Sequence, residues 1–201
     1  MKYFMECIYL PELNNSNKYY QVPDAEARHL KVLRVQSGDK TLITSGKGIF
    51  ALATVNRSSN SNFSVEIIEY YHNKSELDFK IGLAIGILDN REKLEFAIEK
   101  STELGVNDIF LLLTDYSQRN KINKDRLITK TINTIKQCKR SMLPIIHNPI
   151  SIFDLLNNNN FDRIIIADES GINPKAKLEK NINSLIFVGS EGGFSKAELD
   201  I

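Results

Sequence analysis

Two hydrophobic rhythms share this chain, and one gives way to the other near residue 74. From Met1 to about Tyr71 apolar residues fall in short runs broken by turn chemistry. These are Thr41-Leu42-Ile43-Thr44, Ile49 to Val55 and Phe63 to Tyr71, with Ser37-Gly38-Asp39 and Ser45-Gly46-Lys47-Gly48 between them. Short apolar runs bounded by Gly, Ser and Asp clusters predict β-strands, and several in succession predict a small barrel. One helix interrupts them. Pro23-Asp24 precedes Ala25 to Val35, where Leu30, Leu33 and Val32 share a face and Arg28, Lys31 and Arg34 are left for water or an anion.

From Phe79 the rhythm alternates between strand and helix. Strands are expected at Lys80 to Ile87, Asp108 to Leu113, Arg163 to Ala167 and Leu185 to Val188, with helices at Glu92 to Leu104 and Lys124 to Cys138. That order predicts an α/β domain with a mostly parallel sheet. The first of these helices is the best marked. Asp89 and Glu92 form a D-x-x-E start, Leu94, Ala97, Ile98, Ser101 and Leu104 line one face, and Gly105 stands at the C′ position.

The last strand runs into Gly189-Ser190-Glu191-Gly192-Gly193 and then Phe194-Ser195-Lys196-Ala197-Glu198. Glycines let backbone amides approach a ligand closely, and Ser195 with Glu198 forms a capping box that opens a helix. The loop matches neither a dinucleotide fingerprint nor a P-loop. Spacing alone leaves two readings open, a tight turn or a ligand loop. The carboxyl end of a parallel strand favours the ligand, because open α/β sheets bind there. Glu191 between glycines can orient a ligand group or cap the helix.

Composition narrows the class. The chain has 201 residues, 42% of them hydrophobic, and a formal net charge of +1. It has material for a real core but is no polycation, so any nucleic-acid surface must be local. Two cysteines, Cys7 and Cys138, with no Cys or His at ligand spacing beside them, fit a reduced compartment and argue against structural zinc. The mixed run Met1 to Leu10 is neither a signal peptide nor a span, which points to a cytoplasmic protein with no membrane and no metal.

Two basic clusters stand out. His29 lies among Arg28, Lys31 and Arg34, and Arg119, Lys121, Lys124 and Arg126 form a second run; each can meet a polyanion such as RNA or be a solvated face. Gln137-Cys138-Lys139-Arg140 before Pro144 can carry Arg140 toward the sheet end, or can be a plain helix terminus. His72 and His147 stand alone. No Ser-His-Asp or Cys-His arrangement is evident, so ordinary hydrolysis is not supported.

Together these segments resemble the RsmE family, knotted SPOUT-class methyltransferases that act on uridine N3 of 16S ribosomal RNA with S-adenosylmethionine. The resemblance rests on Arg28-His29-Leu30-Lys31-Val32-Leu33-Arg34 with Gly38-Asp39, on Lys93-Leu94-Glu95 with Glu99 to Val106, on Gln137 to Arg140 with Leu143-Pro144, and on 189–193. It implies a PUA-like β-barrel at residues 1–74 that binds RNA. A SPOUT-type trefoil-knot α/β methyltransferase domain would follow at 75–201, and a homodimer would form on the small ribosomal subunit. By the same resemblance Ala167, Gly189, Ser190, Glu191, Gly192 and Gly193 would hold the cofactor. Arg28, His29, Lys31, Arg34 and Arg119 would meet RNA, and Arg140 would serve catalysis as a cation at the uracil carbonyls.

Three departures accompany the resemblance. Ser190 replaces a proline, Tyr116 replaces an arginine in Thr114-Asp115-Tyr116-Ser117, and the family's segment beyond the cofactor loop has no counterpart, so the domain is expected to be incomplete at its carboxyl end. The alternatives are a non-catalytic or truncated RNA-binding protein of the same fold and a relative acting on transfer RNA.

Overall fold

The computed structural model describes residues 6–58, 62–117, 122–169, 171 and 181–200. Packing divides the chain into two units, Met1–Glu76 with Ile132–Leu143, and Leu77–Thr131 with Pro144–Ile201. A linear cut at residue 74 leaves out the segment Ile132–Leu143, which packs with the first unit.

The first unit is built on strands β1 (Cys7–Tyr9), β2 (Tyr19–Gln21), β3 (Lys40–Thr44), β4 (Ile49–Arg57) and β5 (Phe63–His72), with helix α1 (Asp24–Val32) between β2 and β3. The strands form one sheet in the order β1-β3-β4-β5-β2, antiparallel except for the β1 and β3 pair. Leu52 pairs with Glu69 but Ala53 with Ile67, so Ile68 is an extra residue in β5, a bulge whose added twist helps a small sheet curl. Ile8, Leu30, Ile43, Ala53, Val55 and Val65 fill its core.

The first helix stops earlier than its apolar pattern suggests. Arg34 takes a left-handed φ of 57°, and Val35 N–H donates to Leu30 C=O at 3.1 Å, the reach of a Schellman end. Val32 therefore faces water, 79% exposed, instead of joining Leu30 on the buried face. Strands β1 and β2, three residues each, are too short to leave a period in the sequence.

The second unit has strands β6 (Ile81–Gly86), β7 (Asp108–Leu113), β8 (Ile145–Ile146), β9 (Ile150–Ser151), β10 (Arg163–Ala167) and β11 (Ser184–Val188). Its helices are α2 (Arg91–Glu103), α3 (Lys124–Cys138), α4 (Ile152–Asn157) and α5 (Lys196–Leu199), with the end of α3 assigned to the first unit. The sheet order is β10-β11-β6-β7-β8, with β9 also on β7, and every pairing is parallel. Alternation along the strands sends Ile85 and Leu111 to one apolar cluster, and Ala84 and Leu112 to the other. Both faces of the sheet are thus covered, as parallel sheets require.

Helix α2 carries a clear pair of ends. Asn90, not Asp89, is its cap, with Oδ1 accepting from Glu92 N–H at 2.9 Å and Lys93 N–H at 3.1 Å. At the other end Gly105 sits at φ 100° and Val106 N–H reaches Ser101 C=O at 3.1 Å. Leu104 lies in that terminal turn and is 77% exposed, so it drops out of the expected buried face.

Candidate cofactor and RNA sites

The parallel register lines up strand ends. Ala167 pairs with Val188, Val188 with Ile85, and Ile85 with Leu111, so β10, β11, β6 and β7 finish side by side. Loop 189–193 leaves β11 at that edge. Ala167, exposed at the end of β10, pairs with Val188, the last residue before the loop.

Close approach of backbones explains two of the glycines. A Cβ on Gly86, at the end of β6, would lie 2.3 Å from Ser190 N, and one on Gly189 would lie 2.7 Å from Gly193 C. Neither position has room for a side chain. The loop closes on itself through Gly193 N–H donating to Ser190 C=O at 2.9 Å, and Phe194 buries its ring in the core just beyond.

Side chains then tie the loop to the turn that follows β7. Ser190, only 9% exposed, accepts from Thr114 Oγ1 at 3.3 Å, and Thr114 Oγ1 lies 2.8 Å from Ser117 Oγ. The proline expected at position 190 would stiffen the backbone; serine instead holds its place through a hydroxyl tether. The capping box forms at Ser195 and Glu198 and opens the single turn of α5. Glu198 also does more than cap. Buried, it accepts Asp115 N–H at 3.1 Å through Oε1 and Ser195 N–H at 2.8 Å through Oε2, while Ser195 Oγ donates to Asp115 Oδ2 at 2.5 Å.

Glu191 points the other way, toward the entrance of α2. Its Oε2 accepts Asp89 N–H at 3.3 Å. Its carboxyl is held below the usual 4.5, first by its own backbone N–H and then, against the opposing effect of burial, by the N–H groups of Asp89 and Asn90 and by Lys93. The helix that follows the loop, α5, is capped by Ser195 and not by Glu191, whose carboxylate instead borders a hollow of about 480 Å³. Asp89, Asp115, Tyr116, Ser117, Glu191 and Gly192 line that hollow. Three of the six carry carboxyl groups, which suits a cationic ligand.

In the first unit, Arg28, Lys31 and Arg34 are exposed on and just beyond α1, and none has an ion-pair partner among the described residues. His29 is half-buried, with Nε2 3.7 Å from a Glu6 carboxylate oxygen. Arg119 and Lys121 lie outside the described residues. In the second unit Arg126 pairs with Glu95 at 2.5 Å while staying about half exposed, and Lys124 Nζ donates to Asn148 Oδ1 at 2.9 Å, so each of these two cations of the second basic run has a partner within the fold.

Arg140 departs from the expectation of a cation open to substrate. It is 2% exposed and its Nη2 lies 2.7 Å from Glu76 Oε2, with Nε at 3.1 Å from the same oxygen. The cause is local. Lys139 adopts φ 60°, Arg140 N–H returns to Ile135 C=O at 3.1 Å, and this helix end turns the guanidinium inward onto Glu76. Glu76 further accepts the N–H groups of Ser141 and Met142 through Oε1, each at 2.8 Å.

Sequence reasoning passed over Glu76, Thr114, Ser117, Glu198 as a bridge, and Gly86. Only Gly86, a glycine closing an apolar strand, carried a readable signal. His147, read as isolated, has Nε2 2.7 Å from Asp108 Oδ1 and stacks on Phe110 at 4.1 Å. No group of three potential metal-ligating side chains occurs among the described residues, and no described helix is long and apolar enough to cross a membrane.

Known proteins share this architecture. Residues 75–201 match the model of an RNA methyltransferase domain, and 22–68 that of an RNA methyltransferase PUA domain. The chain is 31% identical over 195 residues to a ribosomal RNA small subunit methyltransferase E of Rickettsia conorii, covering 94% of this chain and 79% of that protein. The Bacillus subtilis protein of the same name is 26% identical over 200 residues, covering 90% and 77%. Among solved structures, a probable rRNA-methyltransferase of Porphyromonas gingivalis superposes with a TM-score of 0.83 at 26% identity, over 97% of this chain and 84% of that one. A ribosomal RNA small subunit methyltransferase E of Neisseria gonorrhoeae, bound to S-adenosyl methionine, gives 0.87 at 23% identity over 98% and 84%, a likeness of fold.

Proposed function

Because this chain belongs to the ribosomal RNA small subunit methyltransferase E (RsmE) family, we propose that it is an S-adenosylmethionine-dependent methyltransferase of N3 of a uridine in 16S ribosomal RNA. The observation that carries the assignment is loop 189–193, seated at the carboxyl ends of four parallel strands and clamped by Gly86 and Thr114 beside an acid-lined hollow.

The site fits such a cofactor in two respects. The glycine cradle leaves room for a ligand to lie against backbone, and Asp89, Asp115 and Glu191 favour a ligand bearing positive charge. Bound S-adenosylmethionine supplies a methyl group activated by its sulfonium. Gly189, Ser190, Glu191, Gly192 and Gly193 hold and orient it, with Ala167 at the flanking strand end. Their contribution is pre-organisation, since the Thr114, Ser117 and Ser190 hydroxyls and the Glu198 bridge fix the loop before ligand arrives.

The uridine must leave its stack to be methylated. We place the RNA-binding surface at Arg28, His29, Lys31 and Arg34, joined by Arg119, within a PUA-like domain that ends near residue 74 and precedes the SPOUT-type domain. Arg140 is spent on Glu76, so its role is to hold the segment around Met142, and any approach to the uracil carbonyls requires that pair to open. The protein works in the cytoplasm as a homodimer on the small ribosomal subunit.

Calorimetric titration with S-adenosylmethionine, followed by transfer of labelled methyl to 16S RNA and mapping of the product nucleotide, tests this function. Saturable binding near one per chain with 3-methyluridine as product is expected. A folded protein that neither binds cofactor nor labels RNA would overturn it.

A further inference from the structure

A second cavity, of about 160 Å³, opens in the second unit next to the end of β6. Its floor is apolar and mostly buried: Ile87, Leu94 and Leu127 are core residues, with Leu88 and Ile122 partly buried beside them. The size is selective. An apolar cavity of about 150 Å³ accommodates benzene, so one six-membered ring fits and a fused two-ring system does not.

The rim is cationic and fixed. Arg126 grips Glu95 with two bonds, Nε to Oε1 at 2.5 Å and Nη2 to Oε2 at 3.1 Å, while Arg91 Nε stands 3.4 Å from the same carboxylate. Two guanidinium groups share one carboxylate, which leaves a net positive charge at the mouth. Both arginines keep about half their side-chain surface in solvent, 57% and 48%. Asn123 spends its side-chain oxygen on Arg126 N–H at 3.0 Å, so its amide N–H₂ is left to donate at the rim.

An apolar slot one ring deep, a guanidinium pair for a phosphate and an amide donor for a ring carbonyl match the parts of one nucleotide. We propose that this cavity receives an unstacked pyrimidine of the substrate RNA, with Arg91 and Arg126 on its phosphate and Asn123 on a ring carbonyl. This rests on the reading of the chain as an RNA methyltransferase, and adds a base-binding pocket distinct from the hollow beside loop 189–193.

The test uses the whole chain and a single-stranded uridylate octamer carrying 4-thiouridine. Irradiation should cross-link the octamer to peptides containing residues 87–94 or 122–127. Ile122→Trp, which fills the slot, should weaken octamer binding about tenfold or more, within the range of one lost base-stacking contact. Arg91→Gln should weaken it a few-fold and flatten its salt dependence. Melting curves must show both variants folded, and calorimetry with S-adenosylmethionine should give the wild-type affinity.

Cross-links confined to other segments, with I122W binding the octamer as wild type does, would overturn the pocket while leaving RNA binding in place. Loss of S-adenosylmethionine binding in I122W with octamer binding intact would assign the slot to cofactor, and so also overturn it. Wild-type protein that binds 16S RNA but not the octamer removes the pocket alone. Failure to bind any RNA removes both readings.

Discussion

Arg140 and Glu76 form an ion pair buried almost completely in the first unit, Nη2 to Oε2 at 2.7 Å, though 64 residues separate them in sequence. The second oxygen of Glu76 carries two backbone N–H groups, and Arg140 C=O accepts from Thr44 Oγ1 at 2.8 Å. The pair therefore welds the returning segment Ile132–Leu143 to the β-strand unit. Arg140→Ala strands the Glu76 carboxylate in the interior and should cost about 3–5 kcal/mol of stability. Denaturant unfolding checks this. If R140A unfolds as wild type does while losing methylation, the arginine belongs to catalysis instead.

Gly86 faces Ser190 across the root of loop 189–193 with no space for a methyl group. Gly86→Ala puts a Cβ 2.3 Å from Ser190 N, so strand or loop must shift. Overpacking of this kind costs about 1–3 kcal/mol. The displaced loop should also bind S-adenosylmethionine about tenfold or more weakly, since binding depends on the loop being formed beforehand. Calorimetry on the folded variant reads the loss; an unchanged affinity would detach loop 189–193 from the cofactor.

The architecture of the second unit was legible because its elements are long enough to show a period. Helix α2 announces itself through a cap, a buried stripe and Gly105, and the sequence misplaces only the cap, by one residue, since Asp89 and Asn90 are both good caps and only geometry shows which oxygen reaches the N–H groups of Glu92 and Lys93. Loop 189–193 was legible for the same reason, a glycine cluster at a strand end. What sequence could not show is long-range pairing. Glu76 with Arg140, Thr114 with Ser190, and Asp115 with Glu198 join residues 64 to 83 positions apart, and polar side chains carry no period that reveals such partners. Strands β1, β2, β8 and β9, of two or three residues each, fall below the length at which alternation exists at all.

Glu191 gives the loop a pH dependence of defined sign. Its folded carboxyl titrates below the ordinary 4.5, held there mainly by backbone N–H groups, its own first. A depressed carboxyl contributes stability that is present above the unfolded value and is lost as pH falls through the lower folded value. Wild-type protein should therefore lose melting temperature between about pH 5 and about pH 3 more steeply than Glu191→Gln, which cannot titrate. The contribution is small because the group is exposed. Matched thermal melts across that range decide the point, and equal slopes would show that the carboxylate contacts at Asp89 do not form in solution.

The exposed cations of the first unit should set the salt dependence of RNA binding. Arg28, Lys31 and Arg34 have no ion-pair partner among the described residues, so their charge is available to phosphates in a way that Lys136, held by Glu26 and largely buried, is not. Replacing all three by Gln should weaken 16S RNA binding by about tenfold or more at moderate salt, and reduce the slope of log affinity against log salt by about 2–3, near one released counterion for each lost contact. Stability should hardly change, since the replaced groups hold nothing in the fold. Filter binding across a salt series measures the slope, and S-adenosylmethionine binding serves as the control for folding. A triple variant with the wild-type slope would move the RNA surface off α1.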